Sequence, residues 1–209
     1  MFYVKWVFYL IVFAVVAGLL HYNLPGRDIV RVVNIYEERQ DFSGGWNQIF
    51  WGGGDSGAGT EPTNRDVLFI QTVKANGEPM VFRNEDTSWG WPPYLKFDTA
   101  DLQTRAADAV STAEEPKWVA MRHYGWRNTF LSIFPNALSL KAVDGPDVRL
   151  IPWFNIIFLT ILFLFVWFVV RRIQKFRARR IDPMIDSIDD AYDDSRGAVT
   201  RWLGTWRRK

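Results

Sequence analysis

Residues 153–180 read WFNIIFLTILFLFVWFVVRRIQKFRARR, and this stretch decides the architecture. Its first eighteen residues, Trp153 to Val170, carry only Asn155 and Thr160 as polar side chains. At about 1.5 Å per residue such a helix reaches roughly 27 Å, close to the ~30 Å hydrocarbon core of a bilayer. Pro152 precedes it, at a first turn where a missing N–H costs nothing. Six cations then fall within ten residues: Arg171, Arg172, Lys175, Arg177, Arg179 and Arg180. The positive-inside rule assigns that flank to the cytoplasm.

Working outward, a second apolar block runs from Trp6 to Leu20, extended by Phe2 to Val4 beyond Lys5. It predicts another span, with Lys5 placed to snorkel and Tyr3, Trp6 and Tyr22 as interfacial aromatics. A cleaved signal peptide is the alternative, but the run ends in His-Tyr-Asn-Leu-Pro, which lacks a small-x-small cleavage site. Two spans put both termini in the cytoplasm. The loop from 21 to 150 then lies outside with 13 basic and 17 acidic residues, against 11 basic and 6 acidic from Arg171 onward. The asymmetry has the sign that the rule requires.

The formal net charge of the 209 residues is only +2, too little for the field of a nucleic-acid binder. Cysteine is absent, which excludes disulfides, iron–sulfur clusters, c-type haem attachment and thiol catalysis. The domain between the spans must therefore be held by its own core. Ile29 to Tyr36, Arg65 to Lys74 and Met80 to Asn84 alternate and are rich in β-branched residues, predicting strands. Asn76-Gly77 predicts a two-residue hairpin with positive φ at both positions. Further strands are predicted at Trp118 to Tyr124, Phe130 to Phe134, Leu138 to Val143 and Val148 to Ile151. One helix is predicted from Thr99 to Val110, capped by Asp98 or Thr99, with Leu102, Ala106, Ala109 and Val110 on one face. A glycine-dense stretch, residues 43–61, interrupts the strands and predicts a mobile loop whose Trp46, Phe50 and Trp51 dip into the membrane surface, meet a partner or fold back onto the domain.

At Tyr124-Gly125-Trp126-Arg127, followed by Phe130-Leu131-Ser132-Ile133-Phe134-Pro135-Asn136, the chain resembles an uncharacterised bacterial family, domain of unknown function 1523. Supporting stretches are Arg31-Val32-Val33-Asn34, Phe82-Arg83-Asn84-Glu85-Asp86-Thr87 and Lys96-Phe97-Asp98-Thr99-Ala100-Asp101-Leu102. The resemblance, to members of the alphaproteobacterial two-span type, implies a bacterial inner membrane and no assigned activity. Read physically, Trp126 offers a large surface with one N–H to satisfy, and Arg127 can donate to several carbonyls at once. A structural role accounts for both; a ligand contact is the alternative.

Catalytic constellations are weak. His21 and His123 are the only histidines and lack metal-ligand spacing. Glu85-Asp86 and Glu114-Glu115 are neighbours that point apart on a strand, as solvated turn charges do. No nucleophile-elbow, Walker or dinucleotide pattern occurs. Trp89-Gly90-Trp91-Pro92-Pro93-Tyr94 is the densest aromatic feature, either packing at one end of a barrel or a flat recognition surface. Beyond Asp182-Pro183, read as a helix cap and first residue, Ile181, Ile185, Ile188, Tyr192, Ser195, Val199, Trp202 and Trp206 form a heptad stripe. It predicts an amphipathic tail helix that meets the inner leaflet, a protein partner or a second copy.

The expectation is an α+β membrane protein: transmembrane helix 1 at 1–22, a periplasmic β-rich twisted sheet or partly open barrel at 23–150, transmembrane helix 2 at 151–172, and a basic, amphipathic cytoplasmic tail at 173–209. The function expected is that of a non-catalytic accessory or scaffolding subunit of an inner-membrane assembly. A periplasmic ligand-binding or sensing domain is the alternative, and a membrane-bound enzyme the third. Partners expected are the lipid bilayer and a membrane protein or second copy, with no nucleic acid, cofactor or metal. Candidate interaction residues are Trp46, Trp51, Trp89, Trp91, Trp126, Arg127, Tyr192, Trp202 and Trp206.

Overall fold

A computed structural model describes residues 2–41, 64–89 and 91–184. The elements in chain order are α1 (Phe2–Asn23), β1 (Gly26–Asp41), β2 (Asn64–Lys74), β3 (Pro79–Asn84), α2 (Thr99–Asp108), β4 (Trp118–Tyr124), β5 (Asn136–Ala142) and α3 (Trp153–Phe176). They fall into two units, residues 1–152 and residues 153–209. Both α1 and α3 are long and apolar enough to cross a membrane, and neither buries its apolar surface within its own unit.

The five strands close into a barrel in the order β1-β2-β3-β5-β4. Neighbours are antiparallel except β3 and β5, which meet in parallel at Arg83 and Asn136. With α2 inserted between β3 and β4, this is the connectivity of an OB-type Greek-key barrel. β1 is long enough to serve two neighbours, pairing through Gly26 to Arg31 with β4 and through Val30 to Asp41 with β2. A bulge between Val32 and Asn34 turns it from one to the other and leaves Val33 facing out. Closure removes most of the open edge that a flat sheet of this size would present.

Alternation supplies the core. Val30, Val32, Ile70, Phe82, Val119, Met121 and Ala137 point inward and are buried. Leu102 and Ala106 of α2 cover the same cluster, and the chain after α2 is stitched on by Ser111 N–H donating to the Val32 carbonyl at 3.0 Å. A smaller cluster, Val67 and Phe69 with Tyr36 and Phe134 against them, lies further along β1 and β2.

Several predicted elements differ. The Asn76-Gly77 turn is a three-residue loop: Gly77 N–H donates to the Lys74 carbonyl at 2.9 Å, and only Gly77 has positive φ, at 83°. Its geometry is a type I turn closed by a left-handed glycine, not a two-residue primed turn. Phe130 to Phe134 is not a strand, because Ser132 adopts φ 50° and a single bridge joins Asn128 to Ile133. Val148 to Ile151 pairs with no strand among the described residues. Within the second unit α3 does not stop at Asp182-Pro183; Asp182 is itself helical, and a widened π-type turn over Arg177–Ile181 accommodates the proline ring. The heptad stripe from Ile185 on, and the glycine-dense stretch, lie outside the described residues.

Candidate functional site at the junction of helix and barrel

An α-helix leaves its last four carbonyls without intrahelical partners. In α1 two of these are satisfied by the barrel: the Tyr22 carbonyl accepts from Gly125 N–H at 2.9 Å, and the Asn23 carbonyl accepts from the Tyr94 hydroxyl. The Leu20 carbonyl takes Leu24 N–H at 2.8 Å, and Asn23 Nδ2 caps the Leu19 carbonyl at 2.7 Å. Rings complete the joint. Tyr22 meets Trp126 edge-on at 5.4 Å and Tyr124 at 6.4 Å, while Tyr94 stacks on Tyr124 at 5.0 Å. Trp126 Nε1 donates to His21 Nδ1 at 2.7 Å. Gly125 makes the approach feasible through its backbone: its φ of 89° lies in the left-handed region that favours glycine.

The motif loop is braced from within. Arg127 donates to the Ile133 carbonyl at 2.9 Å and the Asn128 carbonyl at 3.3 Å, with its guanidinium 4.2 Å above the Phe134 ring. Asn128 Oδ1 accepts from Leu131 N–H at 3.0 Å. Its tip leaves Phe130 almost fully exposed.

Beneath the joint lies a buried polar layer. Arg83, at 2% exposure, pairs with Glu85 at 3.1 Å. Asn136 and Glu85 bond reciprocally: Glu85 N–H donates to Asn136 Oδ1 and Asn136 Nδ2 to the Glu85 carbonyl, each at 2.9 Å. Asn136 Nδ2 also donates to the Tyr124 hydroxyl at 3.3 Å. Lys96 Nζ donates to Asn84 Oδ1, to the Ala137 carbonyl at 2.9 Å and to the Glu85 carbonyl at 3.2 Å. Burial pulls the Lys96 ammonium down to about 8, against the partial pull of Asp86, Asp98 and Glu85 in the other direction. Asn84 Nδ2 reaches the Thr99 carbonyl and Gln103 Oε1, tying the layer to α2. A cavity of ≈ 10 Å³ bounded by Arg83, Glu85, Thr87, Trp91, Tyr124 and Asn136 has room for one water. Glu85 and Asp86 are therefore not merely solvated turn charges. Glu85 faces Arg83, while Asp86 Oδ1 accepts from Thr99 N–H at 3.1 Å and Thr99 Oγ1 at 2.6 Å, capping α2 in place of Asp98.

The structure places Trp126 in this joint and Arg127 inside the motif loop beside it. Trp91 borders the small cavity but remains 73% exposed, and Trp89, 83% exposed, rests only its edge on Phe97. Trp46, Trp51, Tyr192, Trp202 and Trp206 lie outside the described residues. His123 is a sheet residue: its Nε2 lies 3.2 Å from Asp28 Oδ2, which Lys74 also approaches at 3.7 Å. The hydrogen bond from His123 is the main cause that holds the Asp28 carboxyl below its ordinary value. Among the described residues no three His, Asp or Glu side chains cluster as metal ligands. The sequence reading missed Tyr22 as a joint residue, and Tyr94, Tyr124, Lys96, Arg83 and Asn136. Its one available signal was that five of these six fall in the aromatic run or in the stretches that carry the family resemblance.

Fold and site together define a class: a closed five-stranded barrel docked onto the end of an apolar helix and followed by a second apolar helix. The chain belongs to the family described as "Protein of unknown function (DUF1523)", which matches residues 1–177. An uncharacterised protein of Haemophilus influenzae is 35% identical over 156 residues, covering 73% of this chain and 83% of that one. No solved structure matches.

Proposed function

We propose that the chain is a two-pass inner-membrane protein with cytoplasmic termini that holds its barrel in a fixed pose on the periplasmic side, as a non-catalytic accessory or scaffolding subunit. The observation that carries this reading is the joint itself. A flexible linker would leave the barrel free to tumble; here Gly125, Tyr94 and Trp126 bond directly to Tyr22, Asn23 and His21. The rigid attachment suits presentation of a surface at constant height and orientation. The six cations after Val170 orient the pair of helices, and Trp126 Nε1 and one guanidinium nitrogen of Arg127 are engaged in internal bonds.

The test is purification in mild detergent after crosslinking in the native membrane, combined with reporter fusions at both termini and within residues 43–61. The reading expects cytoplasmic signals at both ends, a periplasmic signal between them, and a reproducible protein partner or second copy. A monomer with no co-purifying protein would defeat the scaffolding role, and a reversed reporter pattern would defeat the topology.

A further inference from the structure

On the outer face of β1, β4 and β5, Arg27 stands directly across from Arg122, and Arg122 across from Ser139. The neighbouring row is Ile29, Ala120 and Lys141. Registered residues share a face, so two arginines and a lysine line one stretch of it. The space they line is an open depression of about 550 Å³ that also includes Ser139 and Asp144. Three cations against one carboxylate make it a positive spot on a domain segment that carries more acids than bases.

Its height relative to α1 is fixed. Arg27 lies four residues beyond Asn23, at most about 13 Å of extended chain. Tyr94, whose hydroxyl bonds the Asn23 carbonyl, has its ring 5.9 Å from the Arg122 guanidinium. Arg27 also donates to the carbonyl of Ile151 at 3.4 Å, two residues in sequence before α3 begins. Headgroups occupy roughly 5–8 Å beyond each face of the hydrocarbon core, so if α1 spans that core, a reach of at most about 13 Å from Asn23 keeps Arg27 within or just above the headgroup layer.

We propose that Arg27, Arg122 and Lys141 bind the headgroup phosphate of an anionic glycerophospholipid, seating the barrel on the outer surface of the membrane. Guanidinium forks match phosphate oxygens bidentately, Lys141 adds a point charge, and the Ser139 hydroxyl is a further donor. The net positive lining selects an anionic headgroup over a zwitterionic one. The inference rests on the reading of α1 as a membrane span.

The test uses the full chain, delipidated in detergent, with phosphatidylglycerol, phosphatidylethanolamine or inorganic phosphate added, read by native mass spectrometry and by the thermal midpoint. Phosphatidylglycerol is expected to give retained lipid adducts and a raised midpoint. An R27Q/R122Q variant should bind about tenfold more weakly. K141Q, at an exposed position that leaves folding intact, should show a smaller loss, whereas R179Q/R180Q in the basic tail should respond like the unaltered chain. Equal response of R27Q/R122Q and the unaltered chain, an equal effect of phosphatidylethanolamine, or an effect of inorganic phosphate alone would overturn the proposal. Alkaline extraction of membranes separates the two readings. Release of the unaltered chain would sink the span, whereas retention with no lipid selectivity would sink only the headgroup site.

Discussion

Gly125 shows at the residue scale how a single position joins chain conformation to architecture. Its left-handed backbone, which L side chains rarely adopt, lets its N–H face the Tyr22 carbonyl. Gly125→Ala adds strain at a left-handed position, though the added Cβ would make only ordinary contacts, and is expected to cost about 1–3 kcal/mol in thermal or chemical unfolding of the detergent-solubilised protein. Trp126→Phe asks a narrower question. The ring pairing with Tyr22 persists in that variant, but His21 Nδ1 loses its donor. A stability loss of about 1 kcal/mol is expected, together with a change in the His21 ring signals in NMR. Unchanged His21 signals would show that the bond does not order that ring. Trp126 and Arg127 illustrate what residue type alone reveals. The need of an indole N–H and a five-donor guanidinium for acceptors was legible, but not which acceptors: the indole meets His21 on the helix end, 105 residues away, and the guanidinium meets the Asn128 and Ile133 carbonyls of its own folded loop.

Legibility at the scale of elements followed local pattern. β4 begins and ends where alternation places it, from Trp118 to Tyr124, and β2 and β3 are found within one residue of their expected ends. Alternation failed where apolar content was not accompanied by a ladder partner. Phe130 to Phe134 has strand-like composition, yet Arg127, Asn128 and Ser132 fold it into a turn through side-chain and left-handed backbone geometry that composition does not encode. Conversely β1 extends five residues past Tyr36, through Glu37, Glu38 and Arg39, because β2 continues beside it and supplies hydrogen bonds to a polar stretch. The start of α2 is a third case. Proximity in sequence favoured Asp98 or Thr99 as the cap, but the oxygen that meets Thr99 N–H belongs to Asp86, thirteen residues earlier. Asp86→Ala is therefore expected to lower stability by about 1 kcal/mol, as loss of a helix cap does, while Asp98→Ala should change it little. Comparing the two midpoints decides which carboxylate caps the helix.

For the whole molecule, the buried groups set a stability profile across pH with opposing limbs. The Lys96 ammonium is held down at about 8 in the folded chain against 10.5 when unfolded, so between these values the unfolded chain binds the extra proton. Stability must therefore rise as pH increases through this window, by up to about 3 kcal/mol for this group alone. Tyr94 acts oppositely, because burial pushes its hydroxyl up to about 12 from 10.0. The unfolded chain loses that proton first, and stability falls as pH climbs from about 10 toward 12. At the acid end, Asp28 is held below its ordinary value by His123, and its contribution disappears as pH falls through the folded value, below about pH 4. Unfolding midpoints of the full chain in detergent should consequently climb from pH 8 to a maximum near pH 10 and then decline. Lys96→Met keeps the length of the side chain but leaves Asn84 Oδ1 and two carbonyls without their donor, so its overall stability is expected to be lower at every pH. The diagnostic is slope: the rise between pH 8 and 10 should vanish in Lys96→Met and survive in Tyr94→Phe, which instead should show a shallower decline above pH 10, the remainder coming from Tyr36, which burial also shifts upward. An unaltered rise in Lys96→Met would mean that another group titrates there, and the polar layer beneath the joint would then be neutral in its energetic response to pH.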